Sequence, residues 1–199
     1  MARTKKSPSQ APLFVQEAVV VRFLIMIDPG PTIAQEVMGL RERLHAGIGA
    51  FTGAATLPHL TLCLADLPYE YIRDVSEGVS IGCLGQRPFD LRFEGIRHFD
   101  DKRTIYIDPV QKAPIAALRK SVADHVCGFQ RVKRLGVRLT EHPHLTLAAG
   151  LKPQQFEAAW ALLAPHTYKG AVRVNEVKLL ARELTPGSVY QHVRTFALR

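Results

Sequence analysis

The stretch Pro-His-Leu-Thr-Leu occupies residues 58–62 and occurs again at residues 143–147. A second motif precedes each copy, because residues 25–29 read IMIDP and residues 105–109 read IYIDP. The two motifs stand in the same order in both halves of the chain, which is the signature of an internal duplication. We therefore interpret the sequence as one structural unit written twice.

Between the two motifs, each half has an apolar stripe with the three- and four-residue spacing of an amphipathic helix. The stripes are Ile33, Val37, Leu40, Leu44 and Ile48 in the first half, and Ile115, Leu118, Val122 and Val126 in the second. A further helix is predicted after each PHLTL strand, and Pro153 opens the one in the second half. Alternating apolar residues then predict strands at about residues 89–94, 172–180 and 189–198.

These elements predict an α+β fold of two similar lobes related by a pseudo-twofold axis. Each lobe would be a small, mainly antiparallel sheet with helices on one face. Residues 1–12 are polar, basic and proline-bearing, so we expect a flexible tail there. We expect residues 13–199 to form a single bilobal domain, with the duplicated halves at about 13–100 and 101–199. The axis would bring the two PHLTL strands face to face across a central cleft.

Composition limits the classes of function. The 199 residues are 47% hydrophobic and 22% charged, which is typical of a soluble globular protein. The net charge of +8 favours a polyanionic partner or an anionic phosphate substrate, while the spread of the charge also fits solubility alone. Three widely spaced cysteines predict no disulfide framework and indicate a reducing compartment. Since no segment reaches the ~18–20 apolar residues of a membrane helix and no signal-peptide cleavage site is evident, we expect a cytoplasmic protein without membrane contact.

The two PHLTL strands have polar residues on one face. Alternation along a strand puts His59, Thr61 and Cys63 on one side and the leucines at 60, 62 and 64 on the other. His144 and Thr146 take the same positions in the second copy. The imidazole and hydroxyl of each copy lie about 7 Å apart along the strand. Two such faces meeting in a cleft would hold two imidazoles and two hydroxyls.

Phosphodiester cleavage uses those groups. One neutral imidazole removes a proton from the attacking water or hydroxyl, and one imidazolium protonates the leaving oxygen. Histidine suits both roles because its unperturbed pKa is about 6.5. Packing explains why a duplication keeps the leucines but gives no reason to keep both polar residues. We therefore interpret His59 and His144 as a catalytic acid–base pair and Thr61 and Thr146 as phosphate ligands. Which histidine is the acid does not follow from the sequence.

The paired motifs at residues 59–62 and 144–147 resemble those of the two-histidine (2H) phosphoesterase superfamily. Within it, the chain is most similar to the bacterial 2'-5' RNA ligase and cyclic phosphodiesterase branch, over about residues 14–198. Residues 93–107 are similar to that family's Gly-x-x-x-Phe turn, and residues 180–198 to its closing hairpin.

The resemblance implies hydrolysis of 2',3'-cyclic phosphates on nucleotides or RNA ends, or reversible joining of 2'-5' linkages in RNA. It implies His59 and His144 as the acid and base, Thr61 and Thr146 as the phosphate ligands, and no metal or other cofactor. The expected partner is an RNA or nucleotide cyclic phosphate substrate, and we expect the protein to act as a monomer.

Further residues lie on segments similar to the family's cleft walls. The candidates for substrate contact are Arg97, Arg103, Arg182 and Tyr190. An arginine there can bind phosphate and a tyrosine can stack on a base; solvated charge and packing are the alternatives. Cys63 and His98 are also considered as cleft residues. The densest basic cluster consists of Arg131, Lys133 and Arg134, which could contact an RNA backbone.

Two other functions remain open on the sequence alone. A non-catalytic RNA or nucleotide-binding module would use the same cleft, although the retention of both histidines favours catalysis. His59, His142 and His144 could supply three imidazoles to zinc, but no acidic residue has ligand spacing with them, and a metal leaves the paired threonines unexplained. The chain lacks a glycine-rich phosphate loop, which argues against an ATP-consuming ligase.

Overall fold

The computed structural model describes residues 18–129, 132 and 136–199. The described strands are β1 Val20–Ile27, β2 Leu60–Pro68, β3 Phe89–His98, β4 Ile105–Pro109, β5 Val137–Leu139, β6 Leu145–Ala148, β7 Lys169–Val174, β8 Glu176–Glu183 and β9 Gln191–Ala197. The described α-helices are α1 Pro31–Ile48, α2 Ile72–Cys83, α3 Lys112–Gly128 and α4 Pro153–Leu163, with a 3₁₀ turn at Tyr69–Tyr71 before α2. The predicted tail at residues 1–12 and the basic cluster of Arg131, Lys133 and Arg134 lie outside the described residues.

The helices follow the predicted stripes. Helix α1 begins at Pro31, whose fixed φ suits a first turn, and ends before Gly49, which has φ 74°. Its buried positions include Val37 and Leu44 of the stripe, together with one charged residue, Arg41. Helix α4 begins at Pro153, as predicted.

All described strand pairs are antiparallel and form one open sheet in the order β7-β3-β4-β6-β2-β1-β8-β9, with β5 pairing with β2. This confirms the predicted α+β class with antiparallel pairing. The two predicted sheets are joined through a single residue pair, Leu60 with Leu145, between β2 and β6. We call β1, β2, β5, β8 and β9 the first lobe, and β3, β4, β6 and β7 the second lobe.

The lobes exchange elements between the two sequence halves. Helix α1 follows β1 but contacts α4 and β6, while α3 follows β4 but contacts α2, β2 and β5. Strand β3 of the first half pairs with β4 and β7, and β8 of the second half pairs with β1. The α2–α3 contact is close because Gly82 faces α3, where an added Cβ would lie 2.5 Å from the Cα of Val122.

The two faces of the sheet differ. All four described helices contribute to one continuous core, which also contains Phe23, Ile25 and Ile27 of β1. The alternate residues of the same strand, Leu24 and Met26, point away from the helices into a small second cluster on the opposite face. We call this side, which none of the described helices covers, the cleft face.

The simple alternation predicted for the PHLTL strands is wrong beyond Leu62. Strand β1 pairs Ile25 with Cys63 and Met26 with Thr61, so Leu62 is an extra residue at a register shift. The shift turns Cys63 into the helix-side core, where it is fully buried. Cys63 is therefore a core residue that does not border the cleft, and burial raises the pKa of its thiol to about 12.

The second copy has the same irregularity. Strand β4 pairs Ile105 with Ala148 and Tyr106 with Thr146, which leaves Leu147 as the extra residue. Ala148 is accordingly buried in the helix-side core. The register shift therefore belongs to the duplicated unit.

Among the described helices, none is long and apolar enough to cross a membrane.

Candidate active site

The two motif histidines stand at the junction between the lobes. His59 immediately precedes β2 and His144 immediately precedes β6. The next residues, Leu60 and Leu145, pair with each other and are fully buried in the helix-side core. Because side chains alternate across a strand, the histidines and the leucines leave the backbone on opposite sides. Both histidines are half-buried on the cleft face.

The antiparallel register relates each histidine to the threonine of the other motif. One residue outward from the Leu60–Leu145 pair, His59 falls opposite Thr146 and Thr61 falls opposite His144. Directly opposed residues in an antiparallel pair have Cβ atoms about 4.5–5.5 Å apart. The four side chains therefore form a compact quartet with approximate twofold symmetry.

Each imidazole is oriented by a backbone carbonyl two residues earlier. His59 Nδ1 lies 2.6 Å from the Leu57 carbonyl oxygen, and His144 Nδ1 lies 2.6 Å from the His142 carbonyl oxygen. A carbonyl oxygen only accepts hydrogen bonds, so Nδ1 must carry the proton in both rings. A neutral ring then has a lone pair at Nε2, and a protonated ring has a donor there. Nε2 is thus the nitrogen of each ring that is not engaged with these carbonyl oxygens.

Burial lowers the pKa of both histidines below the ordinary value, although the backbone hydrogen bond to each Nδ1 acts in the opposite direction. The positive charges of Arg41 and His144 lower the pKa of His59 further. At His144, His142 and Lys112 act in the same sense, while the carboxylate of Asp108 opposes them. These effects favour the neutral form of both rings in the free protein, whereas an anion bound between them would favour protonation.

A buried arginine connects the two motifs. Arg41 of α1 is only 3% exposed. Its Nη1 donates to the Thr56 carbonyl oxygen in the segment before His59, and its Nη2 donates to the Thr146 carbonyl oxygen at 2.7 Å. Among the described residues its Nε has no hydrogen-bond partner, and burial lowers its pKa to about 10. Arg41 therefore holds both motif segments at the cost of a desolvated charge.

The second half contains the matching arginine. Arg119 of α3 donates from Nη1 to the carbonyl oxygens of Thr140 and Glu141, the latter at 3.1 Å, in the segment before His144. Its Nε is also buried without a partner among the described residues. Neither arginine was predicted from the sequence. The sequence feature that could have identified them is a Leu-Arg dipeptide at residues 40–41 and again at 118–119, which puts a charge beside each apolar stripe.

Aromatic rings surround His144 on the second lobe. The ring centroid of Phe99 lies 5.1 Å from that of His144, and that of Tyr106 lies 5.3 Å away. Phe99 and Tyr106 are themselves 4.6 Å apart and half-buried. Arg97 pairs with Tyr106 in the register, so it shares the cleft face, and its Nε lies 3.6 Å from Asp108 Oδ2.

The remaining candidates fall on two sides. Arg182 lies on the cleft face of the first lobe, with its guanidinium 5.2 Å from the ring centroid of Tyr190. Arg103 is exposed in the turn between β3 and β4 and lines a groove with Phe156 of α4. The assignment of His98 to the cleft is wrong, because its ring packs edge-on against Phe156 and Trp160 on the helix side. Among the described residues, no group of three or more His, Cys, Asp or Glu side chains is placed to hold a metal ion.

A duplicated, open antiparallel sheet with one His-Leu-Thr-Leu strand from each half at its centre is the architecture of a 2H phosphoesterase. The sequence profile of the 2'-5' RNA ligase superfamily matches residues 29–186, and the chain belongs to that superfamily. Among curated proteins, none matches the chain.

Solved structures have the same fold. E. coli LigT complexed with 3'-AMP matches with a TM-score of 0.66 and 18% identity, covering 91% of this chain and 99% of that one. E. coli LigT complexed with NADP+ matches with a TM-score of 0.66 and 19% identity, covering 90% and 98%. TT0787 of Thermus thermophilus matches with a TM-score of 0.68 and 19% identity, covering 89% and 98%. At these identities the likeness is one of fold.

Proposed function

We propose that this protein is a metal-independent phosphodiesterase that acts on RNA-type phosphates. Its reactions would be the hydrolysis of 2',3'-cyclic phosphates, the reversible joining of 2'-5' linkages, or both. The observation that carries the proposal is the matched orientation of two imidazoles. His59 and His144 each have Nδ1 committed to a carbonyl oxygen and Nε2 available on the same face of the sheet.

The proposed step needs one proton removed and one supplied. For hydrolysis, the neutral histidine accepts a proton at Nε2 from water as the water oxygen bonds to phosphorus. The protonated histidine donates its Nε2 proton to the ribose oxygen as the bond from phosphorus to that oxygen breaks. In ligation, a ribose hydroxyl replaces water as the attacking group. Thr61 and Thr146 would donate their hydroxyl protons in hydrogen bonds to the non-bridging oxygens and hold phosphorus between the rings.

The charge balance of the site supports an anionic substrate. Burial favours the neutral form of both imidazoles in the free protein, whereas the mechanism requires one of them to be protonated. A phosphate anion between His59 and His144 raises their pKa values and favours uptake of that proton on binding. The site is thus brought to its working protonation state by the substrate.

The surroundings of His144 support a nucleotide substrate. Phe99 and Tyr106 present half-buried aromatic surface beside the imidazole, and nucleobases stack on such surfaces. E. coli LigT, a protein with the same fold, has been crystallised in complexes with 3'-AMP and with NADP+.

The test is turnover of nucleoside 2',3'-cyclic phosphates in the presence of EDTA. Each of His59→Ala and His144→Ala should lower kcat by about 10²–10⁴-fold. The double variant should be little worse than either single variant, because the two groups act in one step. His45→Ala, at an exposed position near the end of α1, is the matched control and should keep wild-type activity.

Loss of wild-type activity in EDTA would refute the metal-independent reaction. Full activity in either single alanine variant would refute the paired mechanism. If the wild type is inactive on every cyclic phosphate and every 2'-5' linkage but binds RNA in the cleft, the alternative of a non-catalytic binding module takes its place.

A further inference from the structure

The cleft face of the first lobe continues well beyond the histidines. Three rows of side chains cross β2, β1 and β8 in register. From the junction outward they are Thr61–Met26–Lys178, then Leu64–Leu24–Leu180, then Asp66–Arg22–Arg182. We call the last two rows, together with Arg138 and Tyr190, the outer platform. It has an apolar floor next to the quartet and a charged border at the edge.

The border has more positive than negative charge. Asp66 accepts two hydrogen bonds from Arg22, at 2.6 and 2.7 Å, and one from Arg138 at 2.8 Å. The hydrogen bond from Arg22 is the main cause that lowers the pKa of Asp66, and the positive charges of Arg138 and Arg182 lower it further. Three guanidinium groups therefore surround one carboxylate. Glu183, the next residue in β8, points to the opposite face.

Within the described part of the chain, the hydrogen bonds of these guanidinium groups leave several of their donors unused. Each has five N–H groups, of which Arg22 uses two on Asp66 and Arg138 uses one. Arg182 is held over the ring of Tyr190 and donates from Nη1 to Ser188 Oγ at 3.4 Å. Arg138 has a 60% exposed side chain, so its remaining donors face solvent. The border is therefore a positive surface with donors available to an anion.

The floor between this border and the histidines is apolar. Leu24, Leu180 and Met26 are buried in one cluster, and Leu64 and Tyr190 pack against it while remaining partly exposed. A floor of this kind accepts a ribose or a base but not a phosphate, because a phosphate would lose its hydration there without gaining a partner. The two ends of the surface suit anions, and its middle suits an uncharged group.

The distance between the ends exceeds one phosphate. Thr61 and Asp66 lie five residues apart on β2, which corresponds to about 13–17 Å along the strand after allowance for the register shift. A phosphate that is hydrogen-bonded to Thr61 therefore cannot also reach the row formed by Asp66, Arg22 and Arg182. A single substrate that occupies both places must therefore carry a second phosphate, as the neighbouring nucleotides of an RNA strand do.

We propose that the outer platform binds the backbone phosphate of an RNA strand whose reacting phosphate lies between the histidines. The preferred substrate is then an oligonucleotide end rather than a free nucleotide. This inference rests on the proposed function for the reacting phosphate, while RNA binding by the platform can be measured separately. On the second lobe β6 ends at Ala148, so among the described residues this strand does not continue the cleft face outward as β2 does. The strand therefore leaves the site over the first lobe.

The experiment compares kcat/KM for a nucleoside 2',3'-cyclic phosphate and for a trinucleotide with the same terminal group. Arg138→Gln and Arg182→Gln should each lower kcat/KM for the trinucleotide about tenfold, by loss of one charged hydrogen bond. In the same variants, kcat/KM for the mononucleotide should change by less than about twofold. Each variant should also reduce the dependence of log Kd on log salt by about 1. Arg173→Gln is the matched control, since Arg173 pairs with Asp90 at the far edge of the sheet and is similarly exposed.

A binding measurement separates this inference from the proposed function. Fluorescence anisotropy with a labelled RNA trinucleotide ending in a 3'-phosphate requires no catalysis. Weaker binding by Arg138→Gln and Arg182→Gln, but not by Arg173→Gln, supports the platform even if the wild type turns over no cyclic phosphate. Unchanged RNA binding in both variants overturns the platform. Equal losses on the mononucleotide and the trinucleotide also overturn it, because the arginines would then act on the reacting phosphate.

Discussion

Replacement of Arg41 by methionine tests whether the buried arginine controls the site. The change keeps an unbranched side chain but removes two hydrogen bonds, to the carbonyl oxygens of Thr56 and Thr146. Hydrogen bonds from a charged group contribute about 1.5–3 kcal/mol each. Removing a desolvated guanidinium whose Nε is unpartnered returns about 1–3 kcal/mol. We expect a net loss of about 2–3 kcal/mol in the free energy of unfolding, or about 4–12 °C in Tm for a chain of this size.

Activity should fall by more than the stability loss explains. Arg41 ties the segment before His59 to the strand that carries Thr146, so its loss lets the two imidazoles move apart. A displacement of about 1 Å can cost 10²-fold in rate. Assayed well below Tm, Arg41→Met should lower kcat about 10²-fold with a smaller effect on KM.

The pH profile supplies a readout that instability alone would not change. The positive charge of Arg41 lowers the pKa of His59, so its removal raises that pKa. Whichever limb of the bell-shaped kcat/KM profile belongs to His59 should move to higher pH, and the other limb should stay. An acidic limb that moves identifies His59 as the base, and an alkaline limb that moves identifies it as the acid.

The matched control is Arg43→Met on the same helix, because Arg43 is exposed. Arg43→Met should change the free energy of unfolding by less than about 0.5 kcal/mol and leave both limbs of the pH profile in place. The reasoning is refuted if Arg41→Met keeps wild-type kcat and unshifted limbs, or if Arg43→Met reproduces its effects.

Three further predictions concern the fold and the cleft. Gly82→Ala should lower the free energy of unfolding in urea by about 1–3 kcal/mol, because the new Cβ would meet the backbone of α3. Gly39→Ala, in open space on α1, should be neutral or stabilising. Equal effects of the two changes would contradict the close contact between α2 and α3. Arg22 lowers the pKa of Asp66 in the folded state, so the ionised Asp66 stabilises the fold above about pH 4, and this contribution is lost as the pH falls through the folded pKa. The difference in unfolding free energy between wild type and Asp66→Asn should therefore shrink on acidification. A difference that stays constant with pH would refute the ion pair. Phe99→Leu should raise KM for nucleotide substrates about 5–100-fold with little change in the pH limbs, and an unchanged KM would exclude base stacking there.

The duplication made much of the fold accessible from the sequence. Two copies of PHLTL located the central strands, and the stripes located α1 and α3 with their buried faces. These signals are local, since period and turn chemistry act within one element. The strand order was not accessible, because it depends on which edges meet in space. A repeated half predicts a repeated set of elements but does not specify that α1 packs with α4 and α3 with α2.

The candidate site was accessible in part for the same reason. His59 and Thr61 were found because they repeat as His144 and Thr146 on a predictable face. Arg41 was not found, because a single arginine beside an apolar stripe looks like the edge of a solvated helix face. Its buried position follows from the segment before His59, whose carbonyl oxygen needs a donor. That requirement is set by tertiary structure and leaves no periodic trace.

The register shift explains why the cleft is symmetric at its centre and asymmetric around it. In both copies an extra residue, Leu62 or Leu147, turns the following residue into the core. Strand β2 then continues to Pro68, so Leu64 emerges on the cleft face and extends the surface outward. Strand β6 stops at once after its shift, and the space beside His144 is occupied by aromatic rings instead. In the proposed mechanism equivalent residues thus supply the two proton transfers, while the unequal lengths of two duplicated strands direct the proposed RNA strand over the first lobe.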